Sequence, residues 1–143
     1  MSCIRTASAA ETEVLGAELG EKLAPGDVVL VEGELGAGKT TFVRGATRAL
    51  GVSAPVTSPT FTIGQRYAGR IPVAHVDLFR IRDLAEEDPD LLADYLGPDL
   101  VTFVEWPQGA EGSIEALART AARVRIDHAG GDRRVVQIVR GAA

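Results

Sequence analysis

A chain of 143 residues has room for one compact domain and not for two of ordinary size, so its motifs are expected to serve a single core over 1–143. Hydrophobic residues make up 45% of it, enough to build that core and too many for a disordered chain. The 15 Lys and Arg against 20 Asp and Glu leave a formal charge of −5, which argues against a general nucleic-acid binder, although a local arginine cluster can still meet a polyanion.

One cysteine, Cys3, excludes an internal disulfide, and His75 and His128 are too far apart to complete a Cys/His zinc site with it. No apolar run approaches the roughly 18 residues of a membrane span, and no basic-then-apolar segment follows Met1, so a soluble cytoplasmic protein without membrane contact is expected.

In chain order, Ser8 and Glu11 have the spacing of a capping box, and Val14, Leu15, Leu19 and Leu23 then recur at helical intervals. Pro25-Gly26 ends that helix. The apolar, β-branched run over 28–31 reads as a strand buried on both faces of a parallel sheet. A helix is predicted from Gly38 to about Leu50, with Phe42, Val43, Ala46 and Leu50 inward and Gly51 as its C-cap. Pro55 and Pro59 make 56–59 turn-like, and strands over 60–67 and 70–77 flank Ala68-Gly69 as a hairpin. Residues 84–95 alternate leucine with acids around Pro89 and predict two short helical pieces. After the Gly97-Pro98 break comes a strand over 100–105, then a short helix carrying Ile114, Leu117 and Ala121. The tail predicts strands over 123–128 and 133–140 around Gly130-Gly131-Asp132. The whole reads as an α/β domain.

Gly33-Glu34-Leu35-Gly36-Ala37-Gly38-Lys39-Thr40 matches the phosphate-loop pattern G-x-x-x-x-G-K-[ST] in full, after a predicted buried strand and opening a predicted helix. Such a loop turns its backbone N–H groups onto phosphate oxygens, and the positive end of the following helix adds a favourable field. Lys39 would sit between the β and γ phosphates, and Thr40 would offer its hydroxyl to magnesium. The ligand expected is a nucleoside triphosphate as its Mg2+ complex. A glycine-rich turn without chemical consequence is the plain alternative, and the strand-loop-helix context argues against it.

A metal-triphosphate site needs a carboxylate at a neighbouring strand end, and Asp77 and Glu105 each close a hydrophobic run. Either alone also fits an ordinary solvent carboxylate. The chain has no Asn-Lys-x-Asp segment, and the strand-end Asp77 is followed by Leu78-Phe79-Arg80 rather than by x-x-Gly, which argues against a signalling GTPase. A small-molecule kinase, with Arg66, Arg80 and Arg82 as candidate phosphate clamps, would have little chain left for an acceptor pocket and a lid.

Four segments together point further: the loop extended through Thr41-Phe42, then Val56-Thr57-Ser58-Pro59-Thr60-Phe61, His75-Val76-Asp77-Leu78-Phe79-Arg80, and Val104-Glu105-Trp106-Pro107. In this order and in so short a chain, they closely resemble the TsaE family, small bacterial ATPases that assist threonylcarbamoyladenosine synthesis on tRNA, and the resemblance spans nearly the whole chain. It implies a three-layer, P-loop NTPase-like fold with a mixed, mainly parallel central sheet and antiparallel additions. It also implies that Lys39 and Thr40 are the loop lysine and magnesium ligand, that Ser58 and Thr60 form a switch-like segment near the γ-phosphate, that Asp77 is the essential acid, that Glu105 lies by the metal, and that Trp106 lies over the nucleotide. Glu34, Leu35, Gly36, Ala37, Gly38 and Thr41 complete the implied nucleotide contacts. Which of Asp77 and Glu105 meets the ion stays open, as does whether His75 is structural or chemical and whether Trp106 is a cover or a core aromatic.

The implied activity is partner-dependent hydrolysis of ATP to ADP and phosphate on the TsaB-TsaD heterodimer, which threonylcarbamoylates adenosine 37 of tRNA with a donor made by TsaC. A nucleotide-sensing assembly module with incidental hydrolysis is the competing class. Between Asp83 and Val101 the chain departs from the family pattern, with Asp88-Pro89-Asp90-Leu91-Leu92 leading to Asp94-Tyr95-Leu96, which bears on partner contacts and not on the loop. Arg119, Arg123, Arg125, Arg133, Arg134 and Arg140 could form a positive face for tRNA or an ordinary solvated sheet surface, and tRNA contact is expected to be indirect or through the complex.

Overall fold

The structure is a computed structural model and describes residues 2–34, 37–56, 64–78, 93–106 and 111–141. In chain order the elements are β1 (Ser2–Thr6), α1 (Ala9–Gly20), β2 (Asp27–Gly33), α2 (Lys39–Ala49), β3 (Gly64–Tyr67), β4 (Val73–Asp77), β5 (Val101–Glu105), α3 (Glu111–Leu117), β6 (Arg119–His128) and β7 (Arg134–Arg140). The strands form one seven-stranded sheet in the order β1-β7-β6-β2-β5-β4-β3.

Strands β6, β2, β5 and β4 run parallel to their neighbours, whereas β1 with β7, β7 with β6, and β3 with β4 are antiparallel. The sheet is therefore mixed, with a parallel centre and antiparallel additions, as expected. Two tight returns cause this, since β3–β4 and β6–β7 are hairpins and a hairpin can only add an antiparallel strand.

Alternation along the strands splits the core into two layers. Val29, Val31, Phe103 and Ile126 face α1 and α2, while Val28, Leu30, Val76 and Val104 face Ile114 of α3. Helices thus cover both faces, and β2 is buried as its continuous apolar run predicts.

The start of α1 follows the predicted box: the Ser8 hydroxyl accepts from the Glu11 amide at 3.2 Å, and the Glu11 carboxylate accepts from the Ala7 amide at 3.2 Å. Such a cap contributes about 1 kcal/mol. The buried face of α1 is Thr12, Leu15, Gly16, Leu19 and Gly20, so Val14 falls on the far side and is 59% exposed, contrary to its predicted place in the stripe. Helix α2 buries Phe42, Val43 and Ala46, and Leu50 is buried too, as read; the C-cap is Leu50 and not Gly51, which follows it in the left-handed conformation, φ 87°, that ends such helices.

Three further departures have local causes. Residues 2–6 were not expected to form a strand, because polar Ser2, Cys3 and Arg5 hide a segment whose order comes from pairing with β7. Strand β6 begins at Arg119, so Ala121 lies in a strand and not on the predicted helix; α3 closes where the Ala118 amide meets the Ile114 carbonyl at 2.9 Å, and parallel pairing with β2 takes over. The second hairpin strand is shorter than predicted, with β4 starting at Val73, while residues 60–63 of the first lie outside the described residues. The helical pieces expected over 84–95 fall almost wholly outside the described residues.

Candidate functional site

Strand β2 runs into its loop through Gly33, whose φ of 143° lies outside the range L side chains favour. A Cβ there would stand 1.9 Å from the Ile126 carbonyl oxygen of β6, so the first glycine of the loop is demanded by a neighbouring strand as well as by its own turn. At the other end Gly38, with φ 100°, caps α2 and supplies no side-chain bond to the first amides of that helix. A helix start left without a side-chain cap favours an anion.

Lys39 is the first residue of α2 and only 5% exposed. Its ammonium donates to the carbonyls of Gly33 at 3.2 Å and Glu34 at 2.7 Å and lies 4.2 Å from the centroid of the Trp106 ring. Burial pushes its pKa below the usual lysine range, against the opposing pull of Glu105, Asp77, Asp127 and Glu34, in that order. Trp106 reaches the ammonium because it follows β5 directly and adopts a left-handed backbone, φ 58°, while its amide donates to the Val31 carbonyl at 3.0 Å. Such a conformation costs about 1–3 kcal/mol in an aromatic residue.

The two carboxylates meet across a parallel ladder. Asp77 and Glu105 are register partners at the carboxyl ends of β4 and β5, and Glu105 is also in register with Val31 of β2. All three ends lie on the sheet edge where the loop departs. Asp77 is partly exposed, whereas Glu105 is 2% exposed and receives a 2.5 Å hydrogen bond from Nε2 of His75, which is wholly buried. A carboxylate only accepts, so the ring nitrogen facing it carries the proton. Nδ1 of His75 meets no partner among the described residues, and an unmatched buried acceptor costs about 1–3 kcal/mol.

Thr40 and Thr41 are partly buried in the first turn of α2. Thr41 and Gly38 border a shallow depression that Ala9, Thr12, Asp132 and Arg134 complete. Glu34 is exposed and meets Lys39 through its carbonyl. Ala37 is buried, and its carbonyl accepts from Nε of Arg134 at 2.8 Å. The structure thus brings Lys39, Thr40, Asp77, Glu105 and Trp106 to one edge, whereas Leu35, Gly36, Ser58, Thr60, Arg80 and Arg82 lie outside the described residues.

Arg66 does not join this cluster. It lies 5.6 Å from the centroid of Tyr95, and its register partner Ala74 points to the sheet face away from α2, which leaves it poorly placed as a phosphate clamp. The tail arginines are interleaved with acids: Arg123 is 3.9 Å from Glu32, and Arg125 is 2.9 Å from Asp127, whose hydrogen bond raises its pKa. Sequence reasoning missed Arg134 as a loop contact and left His75 unassigned. Arg134 is 97 positions from its acceptor, so no local pattern signals it.

These features define a mixed α/β protein in which a glycine-rich strand-to-helix loop, a buried lysine, two strand-end carboxylates and a tryptophan share one sheet edge. A family model described as threonylcarbamoyl adenosine biosynthesis protein TsaE matches residues 6–136. The tRNA threonylcarbamoyladenosine biosynthesis protein TsaE of Streptomyces coelicolor is 44% identical over 121 residues, covering 82% of this chain and 80% of that protein. Its Bacillus subtilis namesake is 39% identical over 134 residues, covering 92% and 81%. The crystal structure of Bacillus subtilis YdiB superposes with a TM-score of 0.78 at 31% identity, covering 99% of this chain and 86% of that one. The chain belongs to the TsaE family.

Proposed function

We propose that this chain, working as one P-loop ATPase domain over 1–143, binds ATP with Mg2+ at the 33–40 loop and hydrolyses it to ADP and phosphate in support of tRNA threonylcarbamoylation by a TsaB-TsaD pair, with TsaC supplying the donor. The relatives' names supply the pathway. The observation that carries the chemistry is Lys39: a nearly buried ammonium between two loop carbonyls, in the field of Asp77 and Glu105 and under Trp106.

The donor set fits magnesium. The Thr40 hydroxyl and the Asp77 and Glu105 carboxylates are hard oxygen ligands, and among the described residues no cluster of three or more His, Cys, Asp and Glu could hold an ion unaided. An ion here would complete its shell with phosphate and water oxygens, as magnesium does beside a nucleotide. When bound, it supplies positive charge that screens the phosphates and draws electron density from the one transferred.

The chain's own residues do the rest. Lys39 and the first amides of α2 stabilise charge on the phosphoryl oxygens. Glu105, buried and fixed by His75, suits the metal side, whereas partly exposed Asp77 suits holding a water in line with the γ-phosphate. Trp106 shields the ammonium from solvent. The depression at Gly38, Thr41, Thr12 and Arg134 adjoins the loop and offers a place for the nucleoside end. Contact with tRNA is left to the complex, because acids interleave the tail arginines. The reaction belongs in the cytoplasm, and no helix among the described residues is long and apolar enough to cross a membrane.

Phosphate release measured with TsaB and TsaD present tests this reading. Asp77→Ala and Glu105→Ala should each lose at least about 100-fold in turnover, the scale of losing an acid-base or positioning group. Undiminished turnover in both variants would reject it. Pathway rescue by a variant that binds ATP without splitting it would favour a nucleotide-sensing module instead.

A further inference from the structure

The His75–Glu105 pair stands out because neither the glycine-rich loop nor the core needs it. His75 sits on β4 with its side chain on the face of α1 and α2, among positions filled by Val73, Phe103 and Val29, where an aliphatic residue would pack without a polar debt. Its ring makes one described polar contact, Nε2 to Oε2 of Glu105, and its other nitrogen makes none. A buried imidazole whose one hydrogen bond among the described residues goes to a carboxylate spends that bond on fixing its acceptor. The register explains how it does so. Asp77 is level with Glu105, and His75 lies two residues back on the same face of β4, so its Nε2 approaches the Glu105 carboxylate from the core side and leaves the open edge to whatever binds there.

We propose that His75 is a positioning residue for Glu105, holding one carboxylate oxygen from below so that the group meets a divalent ion in a single rotamer. This rests on the reading of Glu105 as the metal-side carboxylate. Carboxylates that ligate metals are commonly oriented by such a hydrogen bond, and its removal typically weakens metal affinity or activity about 10–100-fold. The effect is specific to the metal. Nucleotide contacts through Lys39 and the loop do not pass through His75, so binding of nucleotide without metal is spared.

The test compares the full-length protein with His75→Gln, whose amide keeps a donor near the Nε2 position, with His75→Leu, and with His75→Asn, which keeps polarity but withdraws the donor. Mn2+ is titrated by electron paramagnetic resonance into each protein saturated with a non-hydrolysable ATP analogue, and ADP affinity in EDTA is measured in parallel. Expected are Mn2+ affinities about 10–100-fold weaker for His75→Leu and His75→Asn, near wild type for His75→Gln, with metal-free ADP affinity unchanged in all three. If His75→Leu does not fold, the Asn and Gln variants alone decide the matter. Glu105→Gln separates the two levels of the argument. Mn2+ affinity lost in Glu105→Gln but kept in His75→Leu and His75→Asn overturns the role of His75 only, as does a His75→Gln variant no better than His75→Asn. Affinity kept in Glu105→Gln overturns the metal-side reading and the inference with it.

Discussion

Lys39 holds its charge in a place that resists it. Burial lowers its pKa below 10.5, and four surrounding carboxylates oppose the shift without cancelling it. A base whose folded-state pKa lies below the unfolded value destabilises the fold at every pH under the folded value. The penalty is relieved as pH rises from there towards 10.5, because the native state releases its proton first. Lys39→Met, with a neutral side chain of similar length, should therefore abolish nucleotide binding while making the ligand-free protein more stable at neutral pH, by about 0.5–2 kcal/mol in urea denaturation. That advantage should shrink as pH climbs towards 10.5. A difference that stays constant or grows would mean that the bonds to Gly33 and Glu34 outweigh desolvation. At this scale the sequence was informative where spacing along one segment defines the chemistry, as for Lys39 and Thr40. It was silent where a side chain depends on strand register, as for His75 beside Glu105, or on an unusual backbone angle, as for Trp106 over Lys39.

The helix pair α1–α2 aims the loop's helix, and it packs through glycine as much as through leucine. A Cβ on Gly45 would lie 1.9 Å from the Glu13 carbonyl oxygen, and one on Gly16 would lie 2.1 Å from that of Phe42. Both obstacles are backbone, so the helices themselves must separate. Gly45→Ala should cost about 1–3 kcal/mol in chemical denaturation, the scale of overpacking, although alanine is the better helix former. Val14→Ala, on the exposed side of α1, should stay within about 0.5 kcal/mol of wild type. Equal effects would mean that the two helices do not approach as closely as this. The hydrophobic pattern located α1 correctly through Leu15 and Leu19 but put Val14 on the wrong side, because a pattern of apolar residues does not register Gly16, Gly20 or Thr12 as contact positions. The exposed Glu13–Arg48 pair, 3.0 Å apart, joins the same helices and adds little, since solvent screens it.

Over the whole molecule the site depends on an order of strands that differs from the order of the chain. Most elements could be read one at a time, because local alternation and turn residues mark them; that β5 lies between β2 and β4, bringing Glu105 level with both Asp77 and Val31, could not. Nor could β1, whose sheet partner among the described residues is β7. The same long-range order delivers Arg134 to the loop. At the start of β7 its Nε bonds the Ala37 carbonyl at 2.8 Å, while its Nη1 donates to the Gly131 and Arg133 carbonyls at 2.7 Å and 2.8 Å, so one guanidinium ties the β6–β7 turn to the loop. A hydrogen bond from a charged group contributes about 1.5–3 kcal/mol, which corresponds to roughly tenfold or more in any equilibrium that needs the loop ordered. Arg134→Ala should speed hydrogen exchange of the 37–42 amides in the ligand-free protein and weaken ADP binding about tenfold. Arg133→Ala is the matched control: its guanidinium is exposed and, among the described residues, bonds just the neighbouring Gly130 carbonyl, yet the substitution removes the same charge. If both variants weaken ADP equally and neither alters exchange, the tail arginines act through their general field. Accelerated exchange in Arg134→Ala alone would make the C-terminal hairpin part of the loop's support, and a partner that moves that hairpin would then have a direct route to the nucleotide.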